Sequence, residues 1–483
     1  MQGDTSGLRS KAASPAVGFL WNGSRVEGCG GDTVAAALYA AGVRMLGRSS
    51  KYRQPRGLSG AFLAGHLATV DGIPHGRLDR IRIAEGMDVR EEGGWPSRRL
   101  DLLRLGRVLP SRSMWAGFEH PRHLLDQSTL WLPWERFLAK ASGEANAPSR
   151  DAAGGIVEGR RISADLVVIG GGRAGCDAAE AASGKVVLIS HAAPRRSLPS
   201  RVTVLAAHDA YALYGGGRLV AAAPFDHRQP AVLIDAVGVV IATGRRSVPP
   251  LVPGAALPGV LEARTALDLI EFHGVRPGHA VAVVGTDGMG EVLCRLRELG
   301  VWVVGTYPVS QVVAIRGGAG GVTGILTDHG PVACDAVVHA GPWRRDPSLP
   351  FQAAATGDLR LQAGELPANV RLAGSVAEPD EPIHVRTDLD PEACVCPCMD
   401  VTVGEVLHHV HAGMTHVEEI KRLTGAGMGA CQGVPCWALL GAVVSSATGA
   451  SVADIGHPSY RAPRGALTFG QAAGLASLTE KAP

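Results

Sequence analysis

The sequence predicts an α/β protein with an N-terminal β-grasp ferredoxin-like domain, a Rossmann-like domain and a small helical C-terminal domain. Three observations carry this. An Asn-Gly hairpin, a helix and further strand-like runs fill the first ~75 residues. A strand–Gly-x-Gly-x-x-Gly–helix–strand run, ADLVVIGGGRAGCDAAEAASGKVVLIS, occupies 164–190. Near the end, two cysteine pairs, Cys396/Cys398 and Cys431/Cys436, flank two short capped helices. The expected divisions are 1–140 for the first domain with its connecting segment, 163–390 for the second, 391–450 for the third and 451–483 for a tail.

Composition narrows the function classes. The 483 residues suffice for two to four domains, and 46% apolar residues suffice for ordinary cores. A formal charge of +2 without a long basic run argues against nucleic acid as a partner. No apolar run reaches the roughly 18 residues of a membrane span. The opening MQGDTSGLRSK has no apolar signal core, so the expectation is a soluble, cytoplasmic protein. In that compartment the scattered Cys29, Cys176, Cys294 and Cys334 are expected as small buried apolar residues without disulfides.

In the first part, VGFLW and SRVEG read as strands joined by Asn22-Gly23. Asp32-Thr33 opens a helix over VAAALYAAGVRML. A basic, turn-rich loop, GRSSKYRQPRG (47–57), precedes strand-like HLATVDG. The tract GDTVAAALYAAGVRMLGRSSKYRQPRG, with EEGGWPSRRLDLL, WAGFEHP and TLWLPWERFLAKASG further on, resembles the sarcosine oxidase alpha subunit family. These are multi-subunit amine and amino-acid oxidoreductases, with opine oxidase, proline dehydrogenase and hydrogen cyanide synthase subunits among them. Cluster-bearing relatives place iron-ligating cysteines after the Pro-Arg-Gly. Here that segment, LSGAFLAGHLATVDG, has none, which implies a ferredoxin-like fold without iron. Residues 141–162 are small, polar and aperiodic and read as a linker.

In the second part, Gly170, Gly172 and Gly175 form the turn that lets backbone approach a pyrophosphate at a helix N-terminus. The strand before and the helix after give this motif its weight. The acidic residue expected at the end of KVVLIS is replaced by Ser190 and His191. Against the family pattern, the segment from Ser190 to Val239 is short and lacks a helix. The resemblance implies a two-dinucleotide-binding flavoprotein domain, with Thr243 and Gly244 in its Ala-Thr-Gly turn and Gly374 near the flavin phosphates. Ser375 stands where the usual Asp follows. In the second turn, GTDGMGE, Gly285 and Gly290 are in place but Asp287 replaces the middle glycine. A carboxylate there repels a pyrophosphate, so this half is read as a scaffold that binds no NAD(P)H. FAD, or another adenine nucleotide, is expected at the first turn, with an empty Rossmann fold as the alternative.

In the third part, Thr402-x-x-Glu405 and Thr415-x-x-Glu418 read as capping boxes for two helices, TGAGMGA supplies a glycine stop, and CWALLGAVVSSA forms a last apolar helix. Four thiolates in two pairs are the ligand set of a 2Fe–2S cluster, and a zinc site is the alternative. The run Cys396, Cys398, Val401-Thr402, Ala412-Gly413, Ile420-Lys421-Arg422 and GMGACQGVPC resembles the bacterioferritin-associated ferredoxin-like (BFD-like) 2Fe–2S domain of those subunits. The resemblance implies Cys396, Cys398, Cys431 and Cys436 as ligands, with Cys394 extra. His408, His409, His411 and His416 are expected on helix surfaces.

Together these imply an electron-transfer subunit of a flavin-dependent oxidoreductase. A flavoprotein beta-type partner subunit would oxidise a secondary amine or amino acid, so no catalytic acid, base or nucleophile is assigned here. The folate-binding domain of long alpha subunits is not expected. The rival reading is a non-catalytic iron–sulfur relay scaffold with degenerate nucleotide sites. A stand-alone NAD(P)H reductase is disfavoured by Asp287 and the missing ribose acids.

Overall fold

The computed structural model describes residues 8–9, 15–60, 68–75, 77–96, 100–108, 133–134, 136–137, 139–141, 155–286, 289–354, 365–429, 431–465 and 467–479. WAGFEHP (115–121), Asp287 and linker residues 142–154 lie outside the described residues. The chain forms two compact units: Met1–Ala152 with Ser247–Pro342 and Pro382–His457, and Ala153–Arg246 with Trp343–Glu381 and Pro458–Pro483. Residues 163–390 thus contribute to both.

The first unit opens with the hairpin Ala16–Trp21 and Ser24–Cys29. Asn22 and Gly23 both have positive φ, the two-residue turn that matches strand twist. The strand Ala16–Trp21 also pairs in parallel with Asp88–Glu91, and Ala68–Val70 and Ile73–His75 complete a five-stranded mixed sheet. Helix Val34–Ala40 is capped by Thr33, whose hydroxyl accepts from the Ala36 N–H. It ends earlier than its apolar pattern, at Ala41 before the positive-φ Gly42. A parallel sheet follows in the order Val260–Glu262, Ala336–Ala340, Val281–Gly285, Val303–Pro308, with helices Ala263–His273 and Met289–Glu298. Cys334 is buried as expected, but Cys29 is half-buried and Cys294 is exposed. Helix Met289–Glu298 buries Val292 and Leu296, and position 294 falls between them on the other face.

The second unit is one sheet in the order Val202–Ala206, Val186–Ser190, Arg160–Ile169, Val232–Ile241, Leu219–Pro224, His208–Tyr214. The first four strands are parallel, and Val370–Leu372 adds to the carboxyl half of Val232–Ile241. The predicted strand before the glycine turn begins at Arg160, inside the segment read as linker. Only Ala207, at φ 55°, joins the two edge strands. One residue bridges at most about 7 Å, so the sheet curls until its edges meet at that corner. This turn and the hairpin after it occupy the shortened segment beyond Ser190. Apolar residues inside the curl, including Ile169, Val187, Leu213, Ile234 and Ile241, pack with Leu349 and Ala353 of helix Ser348–Ala354. The opposite face of the parallel strands carries helix Arg173–Ala181 through Cys176 and Ala179. Helix Phe469–Thr479 packs Leu475 and Leu478 against Ala212, Ala221 and Leu233.

Candidate functional site

The cysteine site is built on a short hairpin and three helices. Strand Cys394–Cys396 pairs antiparallel with Val401–Thr402, and the turn between them places Asp400 at φ 52°. Thr402 caps helix Val403–His411, accepting from the Glu405 N–H at 3.3 Å. The second predicted cap shifts by one residue. His416, not Thr415, caps helix Val417–Thr424, accepting at Nδ1 from Glu418 N–H while Glu419 reaches back to His416 N–H. An imidazole nitrogen can accept as an oxygen does, so His416 is a structural acceptor. His408 and His411 are exposed and His409 is half-buried, all in the last turn of their helix.

Gly425, in the left-handed region, ends that helix and starts the loop carrying Cys431. Cys436 is the first residue of helix Cys436–Thr448. All four predicted ligands are buried. Cys398 Sγ lies 3.4 Å from Cys431 Sγ, and the Cys436 sulfur interacts with both Cys396 and Cys431. The Cys396 charge also bears on Cys398, so the four sulfurs are mutual neighbours. Hydrogen bonds from Cys398 and then Cys436 hold Cys431 well below the ordinary thiol range, whereas Cys398, donating to Cys431, is held well above it. The Gly427 N–H donates to Cys396 Sγ at 3.3 Å. Gly429 has no room for a side chain, because a Cβ there would lie 2.2 Å from Cys398 Cβ. The extra Cys394 differs from the four. Its residue keeps some exposure, yet burial of its sulfur pushes the thiol up to about 12. Among the described residues, no three or more His, Cys, Asp or Glu side chains are grouped around a point suited to one metal ion.

Sequence reasoning missed the residues that hold this hairpin. The basic loop at 47–57 grips it within the same unit. Asp400, buried, accepts from Arg56 Nη2, from the Ser49 hydroxyl, and from the Tyr52 N–H at 2.8 Å. Arg56 Nε donates to the Pro397 carbonyl at 2.9 Å, and the Ser50 N–H donates to the Cys398 carbonyl at 3.0 Å. Lys51, its side chain fully buried, meets Glu405 at 2.7 Å. Four cations in an eleven-residue loop, with Asp400 and Glu405 flanking a cap, were the available signal.

In the second unit the predicted nucleotide residues meet at the carboxyl ends of three parallel strands. Gly170 has φ 115°, and a Cβ there would lie 2.3 Å from the Ala242 carbonyl oxygen. Gly172 caps helix Arg173–Ala181 without a side-chain bond and faces open space. A Cβ on Gly175 would stand 1.8 Å from the Gly170 oxygen, so helix and strand touch there. Gly244 and Gly374 both have positive φ, and a Cβ on Gly374 would meet Ala174 Cβ at 2.6 Å, in the first turn of the helix. Thr243 Oγ1 is buried with no hydrogen-bond partner. Ser190, at the end of its strand, spends its hydroxyl on the Ala192 carbonyl at 2.6 Å, and His191 contacts Asp209 at 3.1 Å. In the first unit, Gly285 ends its strand against Ala340 and Gly290 lies in the following helix.

Comparison with known proteins agrees with this arrangement. Residues 391–475 match the family described as Sarcosine oxidase A3 domain. Residues 14–94 match the family described as 2Fe-2S iron-sulfur cluster binding domain, although Cys29 is the one cysteine of that stretch. Along 95% of its length the chain is similar to the sarcosine oxidase alpha subunit of Rhizobium meliloti, at 26% identity, and covers 58% of that protein. Over 80 residues it is 32% identical to an opine oxidase subunit of the same organism, covering 18% of it. The chain thus spans less than two thirds of the curated relatives it matches. Its fold matches the crystal structure of L-proline dehydrogenase from P. horikoshii with a TM-score of 0.73 at 21% identity, covering 96% of this chain and 99% of that one. The resemblance to sarcosine oxidase alpha subunits read from the sequence and the expected α/β fold class are both borne out. Among the described residues, no helix is long and apolar enough to cross a membrane.

Proposed function

We propose that this chain is the electron-transfer subunit of a multi-subunit, flavin-dependent oxidoreductase of the sarcosine oxidase type. The observation that carries the reading is the convergence of four buried cysteine sulfurs, with Cys398 and Cys431 3.4 Å apart. Cys396, Cys398, Cys431 and Cys436 would hold a 2Fe–2S cluster, which supplies a one-electron site when bound. One zinc needs four sulfurs around a single point, about 3.8 Å apart for 2.3 Å bonds. Two cysteine pairs brought together suit two metal centres, one pair to each. The chain's own residues prepare the site: Cys431 accepts a hydrogen bond from Cys398, and the Gly427 N–H is directed at Cys396 sulfur, where it stabilises negative charge.

The glycine turn fits the phosphate end of FAD. Gly170, Gly172 and Gly175 leave backbone N–H groups of a helix N-terminus open, Gly244 and Gly374 bring two further backbone turns to the same strand ends, and Thr243 has a free buried hydroxyl. FAD supplies two-electron chemistry when bound. At the adenosine end Ser190 replaces the expected carboxylate, and this favours the second reading, an iron–sulfur relay scaffold without flavin. Oxidation of a secondary amine or amino acid is assigned to a flavoprotein partner subunit, and the chain is placed in the cytoplasm. Two measurements test the proposal. Purified chain should contain iron and acid-labile sulfide together with releasable flavin, and iron and sulfide without flavin would leave the scaffold reading standing. A tag on this chain should co-purify a flavoprotein whose amine substrate reduces the cluster. Failure of any amine or amino acid to do so rejects the assignment.

A further inference from the structure

We propose that the loop 49–56 of the N-terminal module is the outer shell of the cysteine site, with Arg56 as the positioning residue that sets Cys398 for its metal. The inference rests on the cluster reading above. It starts from a cost. Asp400, Arg56 and Lys51 are charged and buried, and taking such groups from water is costly even when they are paired. Buried pairs are therefore weak stabilisers, and a fold that places one on the hairpin and another on the helix after it gains definition of position more than stability. The contacts fall on the peptides that set Cys398. Arg56 Nε holds the carbonyl of Pro397 and the Ser50 N–H holds that of Cys398, so the peptide on each side of this cysteine is fixed. The same guanidinium binds Asp400, two residues further on. Glu405 shows the trade directly. Its backbone takes the Thr402 cap, but its side chain goes to Lys51. The helix start is thereby tied to the loop.

Charge gives the loop a second role. Four thiolates and two sulfides leave a 2Fe–2S cluster net negative, more so when reduced. Arg56 brings a positive charge to this hairpin, where it meets Asp400 two residues from Cys398. Removing the guanidinium leaves Asp400 as an unpaired anion beside the site. The N-terminal module, ferredoxin-like but with a lone cysteine between 14 and 94, thus contributes to a redox site whose ligands lie more than 300 residues away.

The test uses the full chain, reconstituted anaerobically with iron and sulfide, as wild type, Arg56→Lys, Arg56→Gln and Ser49→Ala. Iron release to a ferrous chelator is timed, and the reduced-state electron paramagnetic resonance spectrum is recorded. Loss of an outer-shell partner weakens metal binding on the order of tenfold or more. Arg56→Gln should accelerate release by about that factor and shift the resonance. Arg56→Lys, which keeps the charge but not the fork, should fall between it and wild type. Ser49→Ala, which removes one bond to Asp400, should move release in the same direction by a smaller factor, and it decides the matter if Arg56→Gln does not fold. Loaded variants with wild-type release and an unshifted spectrum overturn the inference alone. A wild-type chain that takes up no iron and sulfide overturns the cluster reading, and the inference with it.

Discussion

The cysteine hairpin and the glycine turn are both candidate cofactor sites, yet they are specified in opposite ways. At the hairpin the chemistry lies in four side-chain sulfurs, and the backbone serves to gather them. At the turn the chemistry lies in backbone N–H groups, and what matters is the absence of side chains at Gly170, Gly172 and Gly175. The first kind of site is broken by removing one atom. The second is broken by adding one. The N-terminal module has neither kind of site in its sheet: its five strands carry Cys29 as their one cysteine between 14 and 94.

The largest expected effect is on the side-chain site. Cys431→Ser should abolish the reduced-cluster paramagnetic signal and bound iron, since it removes one of the four proposed thiolate ligands, the one 3.4 Å from Cys398. An unchanged signal would remove Cys431 from the ligand set. For the turn, Gly175→Val places atoms against an oxygen 1.8 Å from the first added carbon. It should cost about 3 kcal/mol or more, read as a lower denaturant midpoint, and release flavin. A variant that melts like wild type and retains flavin would show that helix and strand do not touch as described.

A buried group outside both sites sharpens the contrast through pH. His339 lies in the parallel sheet of the first unit, with Nδ1 2.7 Å from Ser247 Oγ, and burial pushes it down to about 4, against the opposing charge of Glu262. An unfolded histidine titrates near 6.5. Between those values the unfolded chain binds a proton that the folded chain refuses. Stability should therefore fall as pH drops from about 6.5 to about 4, by roughly 3 kcal/mol from this residue, and change no further below. Denaturant midpoints across that window should flatten in His339→Gln, and an equal slope in both proteins would refute the assignment. The smallest effect is expected at Thr243. Its hydroxyl has no protein partner, so Thr243→Val should move apo stability by less than about 0.5 kcal/mol while weakening flavin retention. A large loss of apo stability would mean that the hydroxyl has a protein partner after all.

Much was legible in the sequence because it was local. The Asn22-Gly23 turn, the Thr33 and Thr402 caps, the glycine turn at 170–175 and the glycine stop at Gly425 each depend on a few adjacent residues, and each formed where the spacing placed it. The shift of the second cap from Thr415 to His416 came from the same locality, since either residue can accept and only the geometry of the chain entry selects one. Cys294 was misjudged because residue type says nothing about which helix face meets the core.

By itself the sequence determined the layout of elements and set four cysteines in two pairs, because periodicity, caps and residue spacing are short-range properties. Only the tertiary structure decided that the strand after Ser190 turns at Ala207 and curls the sheet, and that a basic loop near residue 50 closes on Asp400 and Glu405. Those pairings join residues up to 354 positions apart. Nothing in the local chain encodes which cation will reach which carboxylate. That choice is made when burial forces every charge left inside to find a partner.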